Sequence, residues 1–187
     1  MRKLQEINKA TLINCVEKCL QNARELFDEA EILKDNKKYP RAYTLYHLSI
    51  EEIGKVFIIF QFLIQDDYSE EKSKRFNREF ADHKIKIKTS RDIEKIMLFL
   101  LQTELKEEEF NILTYSKEAI EKLNNFKNLS LYSFIDNKSV FKPSDIIGLD
   151  EINLIRPNSE LRLVSSEQFC RIAIMDIDKF ISLAKEN

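Results

Sequence analysis

Apolar residues recur every three to four positions along most of this chain. Ile7, Leu12, Cys15, Val16, Cys19, Ala23, Leu26, Phe27 and Ala30 predict one amphipathic helix from Leu4 to about Lys34. A polar turn, Asp35 to Lys38, separates it from a second helix that runs to about Gln65. Pro40 falls in the first turn of that helix, where its missing N–H costs little. The same period predicts a third helix from Ser69 to Lys88, a fourth from Asp92 to Thr103 and a fifth from about Lys106 to Asn125. At Leu129 the pattern changes. The segment LSLYSFIDNKSVFKP alternates apolar and polar residues around Asp136-Asn137, which predicts a short β-hairpin or extended excursion. Residues 143–163 hold two of the three prolines and the second glycine and read as irregular. A last helix is expected from Ser166 to Lys185. The expectation is one all-α domain: a helical bundle over 1–127, an excursion over 129–163 and a C-terminal helix over 166–185.

Composition agrees with helices. The 187 residues include only two Gly and three Pro, too few for the turns of a sheet-rich fold. With 30 basic and 32 acidic side chains, the net charge of −2 gives no global attraction to nucleic acid or anionic lipid. No run of 18 apolar residues predicts a membrane span, and MRKLQEINKATL lacks the apolar core of a signal peptide. A cytoplasmic protein that does not engage membranes is expected. Its three cysteines, an odd number, are expected as reduced thiols, with Cys15 and Cys19 as small core residues.

The second helix carries the oddest chemistry. Glu51-Glu52 interrupts an otherwise apolar stretch, and Gly54 sits mid-helix, at about 1 kcal/mol relative to alanine. Glu51 and Lys55 are i, i+4 with the acid first, so they are expected to pair. On a helical wheel, Glu52 projects near Leu45, Leu48, Val56 and Ile59, where a carboxylate needs a partner or a proton. The third helix offers one. Phe76, Phe80, His83 and Ile87 share a stripe, so His83 is expected to face inward and meet Glu52. Arg78 and His83 also have the Arg-x4–6-His spacing of a class of metal-free ribonucleases. There a histidine takes the proton of a ribose 2′-OH and an arginine stabilises the phosphorane-like transition state. Arg41 and His47 fit the same spacing. On a straight helix Arg78 and His83 would point about 140° apart. Two histidines without Glu-x-x-His do not make a di-metal site, and no glycine-rich phosphate loop is present. No metal and no cofactor is expected.

Three segments, YPRAYTLYHLSIEEIGKVF, FNREFADHKIK and KNLSLYSFIDNKSVFKP, resemble in order and spacing the AbiV-type abortive-infection family of bacterial phage-defence proteins. The resemblance implies an all-α, HEPN-like helical bundle, a homodimer and a role in blocking phage multiplication by shutting down host translation or RNA metabolism. By position, Glu51, Glu52, Gly54 and Lys55 match the family's acidic helix motif, and His83 and Lys86 its His-x-x-Lys motif. Two functional expectations follow. One is a metal-independent endoribonuclease with His83 and Arg78 catalytic and Glu51, Glu52, Lys55 and Lys86 orienting or binding. The other is a non-catalytic module that binds a phage or ribosomal protein. Expected partners are a second copy of the chain, a phage-encoded activator, and RNA or the translation machinery. Apolar Ile58 and Phe62 are expected to be exposed and to form the dimer surface.

Overall fold

The computed structural model describes residues 8–100, 117–136 and 139–186. Its helices are α1 (Lys9–Asp35), α2 (Tyr39–Gln65), α3 (Glu70–Ala81), α4 (His83–Thr89), α5 (Asp92–Leu100), α6 (Lys117–Leu131), α7 (Leu149–Met175) and α8 (Ile177–Glu186). Strands β1 (Phe134–Asp136) and β2 (Ser139–Phe141) form an antiparallel hairpin with Ile135 opposite Val140, and a 3₁₀ turn follows at Pro143–Asp145. The fold is all-α with one hairpin, as expected. The expected start of the fifth helix at Lys106 lies outside the described residues. Among the described residues, no helix is long and apolar enough to cross a membrane.

Helix α2 is the centre of the bundle. It packs against α1, α3, α4, α6, α7 and α8, so most of its surface is covered. Ala42, Tyr46, Ile50, Ile53, Val56, Phe57, Ile58, Ile59, Phe60, Phe62 and Leu63 are all buried. The fit against α1 uses small residues, Ala23, Ala30 and Ala42, and the Ser49 hydroxyl donates to the Ala23 carbonyl at 2.8 Å. At the other end, Phe60 meets Phe169 and Phe180 edge-on, at 5.3 and 5.5 Å between ring centres.

Three expectations change. Ile58 and Phe62 are buried, so they form no external surface. The third helix is not continuous: it stops at Ala81 and a new helix starts at His83. Residues 149–163, expected to be irregular, are the first half of α7. Pro157 sits inside that helix, where it removes one backbone hydrogen bond. Burial of Ile152, Ile155, Ser159, Arg162 and Leu163 outweighs that loss, and the Ser159 hydroxyl anchors to the Tyr46 carbonyl at 3.2 Å. The outer face of α7 is also apolar: Leu154, Leu161, Val164, Ile172 and Met175 are exposed.

Gly54 is where α4 crosses α2. A Cβ on Gly54 would lie 2.0 Å from the Lys86 carbonyl oxygen and 2.8 Å from the Lys86 Cα. Both are backbone atoms, so no side-chain rotation relieves the clash. The Thr89 hydroxyl donates to the Gly54 carbonyl at 3.1 Å, which pins the crossing. Arg162, buried in α7, donates to the Ser90 hydroxyl at 3.1 Å and to Glu94 at 2.9 Å, holding the end of α4 from the other side. Gly54→Ala is therefore expected to destabilise the fold by at least the roughly 1–3 kcal/mol typical of overpacking. Urea unfolding would measure it, and an unchanged midpoint would contradict the close crossing.

Candidate functional site

One carboxylate organises the interior. Glu51 is buried on the face of α2 that α4 and α6 cover. Its Oε2 lies 2.6 Å from His83 Nδ1 and 2.9 Å from Lys86 Nζ, both from α4. Its Oε1 receives Lys127 Nζ of α6 at 3.1 Å and lies 3.3 Å from Nε2 of His47, one turn back on α2. Four nitrogens from three helices thus surround two oxygens, with His47 Nε2 in close approach but without the geometry of a hydrogen bond. Burial pushes the Glu51 pKa up. His47, Lys86 and His83 together outweigh that and hold it well below the ordinary carboxylate range.

Local structure delivers each group. Asp82 ends one helix and caps the next. Its backbone is extended (φ −76°, ψ 118°), its N–H donates to the Arg78 and Glu79 carbonyls, and its Oδ1 accepts from the Ile85 N–H at 3.0 Å. His83 is therefore the first residue of α4. Three residues on, Lys86 is carried to Glu51 by the crossing at Gly54. Lys127 is positioned by Ser130, whose hydroxyl donates to the Lys127 carbonyl at 2.6 Å and sits 2.6 Å from the Thr44 hydroxyl of α2.

The four nitrogens differ in exposure. His83 is the open one, with 56% of its side chain exposed, while Lys86 and Lys127 keep 7% and 8%. His47 is fully buried, and neither ring nitrogen has a hydrogen-bond partner among the described residues. Burial lowers its pKa against the opposing pull of Glu51, so the ring is neutral.

The expected pairing is reversed between the two acids. Glu51, not Glu52, meets His83. Glu52, not Glu51, pairs with Lys55, at 2.6 Å, and Lys55 also lies over the Phe80 ring. The wheel misassigned them because α2 is covered nearly all round, so its apolar face does not select the inner acid. His83 does not face the core as its stripe implied, because the break at Asp82 resets the helix phase. Arg78 is exposed on α3, with no side-chain partner among the described residues. Arg41 is exposed while His47 is buried, so that pair presents no shared open site. Lys127 and His47 were not assigned to the site from sequence. Lys127 opens the KNLSLYSF segment, and His47 lies one turn before Glu51 in YHLSIEEIGK. Cys15, Cys19 and Cys170 are free thiols. A hydrogen bond with Cys19 lowers the half-buried Cys15 to about 7, and burial pushes Cys170 up to about 12.

The HEPN_AbiV family model, described as AbiV, matches residues 11–160. The chain belongs to the AbiV family of HEPN domains. No curated protein and no solved structure compared with it matches. The AbiV match spans Glu51 and all four of its nitrogen partners, together with Gly54, and ends within α7 before Arg162. In this AbiV chain the Glu-Glu-x-Gly-Lys and His-x-x-Lys segments are therefore parts of one contact. The first supplies the carboxylate and the close crossing, and the second supplies two of the nitrogens.

The two acids are expected to behave differently. Glu51→Gln leaves two buried ammonium groups without their counter-charge and should cost about 3–5 kcal/mol. Glu52→Gln loses one partly exposed pair and should cost about 1 kcal/mol or less. The pH dependence follows from linkage. His47 has a lowered pKa in the fold, so its contribution is complete above the ordinary 6.5 and is lost as the pH falls below it. Glu51 is also lowered, so its contribution is complete above 4.5 and is lost as the pH falls further. Urea unfolding between pH 8 and pH 3 should show both declines, with the lower one reduced in Glu51→Gln to what other lowered carboxylates such as Glu31 contribute. Equal costs for the two glutamine variants would reject the hub.

Proposed function

We propose that this protein is an abortive-infection effector that blocks phage multiplication by shutting down host translation or RNA metabolism, and that it acts as a metal-independent endoribonuclease. The observation that carries the reading is the Glu51–His83 pair: a buried carboxylate 2.6 Å from Nδ1 of a half-exposed imidazole. A carboxylate at Nδ1 selects the tautomer with its proton there and leaves Nε2 as the base. His83 Nε2 takes the proton of a ribose 2′-OH, the 2′-oxygen attacks the adjacent phosphorus, and the 5′-oxygen leaves with a proton from solvent. A 2′,3′-cyclic phosphate and a 5′-OH result. Arg78, exposed one turn before the Asp82 break, supplies positive charge for the phosphorane-like transition state. The break removes the straight-helix relation that would point Arg78 and His83 apart. A phage-encoded activator would release the activity on infection.

The test uses purified protein with tRNA, rRNA and mRNA, with and without EDTA. His83→Ala and Arg78→Ala should each lose about 10²-fold or more in cleavage while EDTA changes nothing. A second reading, a non-catalytic module that binds a phage or ribosomal protein, draws on the four-fold coordination of Glu51, which suits a structural hub equally well. If the parent cuts no RNA under any condition, or His83→Ala cuts as well as the parent, this second reading replaces the first. It then requires Glu51→Gln to lose fold stability and partner capture together.

A homodimer is part of the proposal. Ile58 and Phe62 cannot supply its surface, but the exposed stripe Leu154, Leu161, Val164, Ile172 and Met175 on α7 can. A helix apolar on both faces is normally covered on both. Sedimentation is expected to find a dimer at micromolar concentration that Leu161→Glu with Ile172→Glu converts to monomer. A monomeric parent would reject it.

A further inference from the structure

Among the described residues, the charges that contact Glu51 do not balance. Lys86 and Lys127 contribute two positive charges and Glu51 one negative, while His47 is neutral, so the hub carries an excess of +1 even with His83 unprotonated. Each ammonium group has three N–H donors, yet Glu51 is the one acceptor each has among the described residues. Both lysine side chains are more than nine-tenths buried. An uncompensated charge there is costly unless a counter-charge joins it. Neither ring nitrogen of buried His47, beside the same carboxylate, has a hydrogen-bond partner among the described residues. The hub opens to solvent at His83.

We propose that Lys86, Lys127 and His83 bind one phosphate group at the open side of Glu51. Lys86 Nζ lies 2.9 Å from one Glu51 oxygen and Lys127 Nζ 3.1 Å from the other, so the two ammonium groups flank one carboxylate, and in this proposal a single tetrahedral oxyanion receives a spare donor from each. Lysine acts on phosphate as a point charge and needs no fixed fork. The arithmetic suits this ligand. A phosphodiester, at −1, cancels the excess with His83 neutral. A phosphate dianion cancels it with His83 protonated. The phosphate could belong to an RNA backbone, to a nucleotide or to free phosphate. The inference goes beyond the ribonuclease reading, since binding stands even if no RNA is cut.

The experiment compares thermal unfolding of the whole protein in sodium phosphate and in sodium chloride at equal ionic strength. At ten times the dissociation constant, phosphate is expected to raise Tm by roughly 3–6 °C over chloride, with a rise that grows as the logarithm of phosphate concentration. Lys127→Met, which brings the hub to neutrality, should remove that rise, and Lys86→Met is the second variant should the first not fold. The chain has two histidines, so the His83 imidazole resonance can be followed in the unaltered protein and must shift saturably, with the dissociation constant that fits the Tm rise. AMP and a short oligoribonucleotide, titrated the same way, identify the source. Tighter binding of the oligoribonucleotide assigns an RNA backbone, and tighter binding of AMP a nucleotide. Preference for inorganic phosphate over both assigns the free ion. A phosphate curve that matches chloride, an unshifted His83 resonance, or an undiminished rise in the lysine variant overturns the site. Saturable phosphate binding without RNA cleavage would sink the ribonuclease reading and leave this one intact.

Discussion

Removing a carboxylate from water is among the most costly acts in a fold, and here the arrangement of helices follows from how that cost is met. Glu51 has lost its hydration and recovers it from nitrogens on α2, α4 and α6. None of those helices could supply the set alone. A structure that lost the approach of α4 would strand the carboxylate beside Lys127 and His47. One that lost α6 would leave it to α4 and His47. The contact therefore specifies the relative placement of three helices, in the way a buried polar group fixes a register that apolar packing leaves open.

That specification works only at short range, and Gly54 makes the range short. The Lys86 backbone rests where a side chain on α2 would otherwise stand. Every other residue would hold α4 away and lengthen the reach from Lys86 and His83 to Glu51. The helical cost of a mid-helix glycine is thus offset by an ion pair it permits, one turn away on the same face. Thr89 and the Arg162–Ser90–Glu94 contacts secure the crossing from the two remaining directions. Arg162 belongs to the part of α7 beyond the AbiV match, so the support of α4 reaches past the segment shared with the family.

Much of this was legible in the sequence, and the failures have physical causes. Helical period, scarce turn residues and the alternation after Leu129 correctly indicated helices and a hairpin. The motif residues Glu51, Gly54, His83 and Lys86 do meet. Which acid turns inward was not legible, because a helix covered on nearly all sides gives a wheel no empty face to read against. The inward direction of His83 failed for a different reason. The wheel assumed one continuous helix, whereas Asp82 both ends α3 and caps α4. Residues 149–163 were misread because Pro157 counts against a helix locally, while the burial of Ile152, Ile155 and Leu163 is a tertiary effect. Lys127 lay in a segment recognised for its alternation, and nothing in a single sequence sets the distance from α6 to α2.

The roles of Glu51 as structural hub and as partner of His83 are not alternatives. A carboxylate can hold an imidazole in one tautomer only if it is itself immobile, ionised and kept from water. Lys86, Lys127 and His47 impose those three conditions. The consequence is that substitution of Glu51 cannot distinguish catalysis from folding, since either role predicts loss. His83 can distinguish them. It is the exposed member, and without it Glu51 keeps three of its four nitrogens, so the bundle retains its centre while the solvent-facing imidazole is gone. The same asymmetry separates the lysines. Both pair with Glu51 from different helices, Lys86 at one carboxylate oxygen and Lys127 at the other, so each can be replaced while the other keeps Glu51 paired.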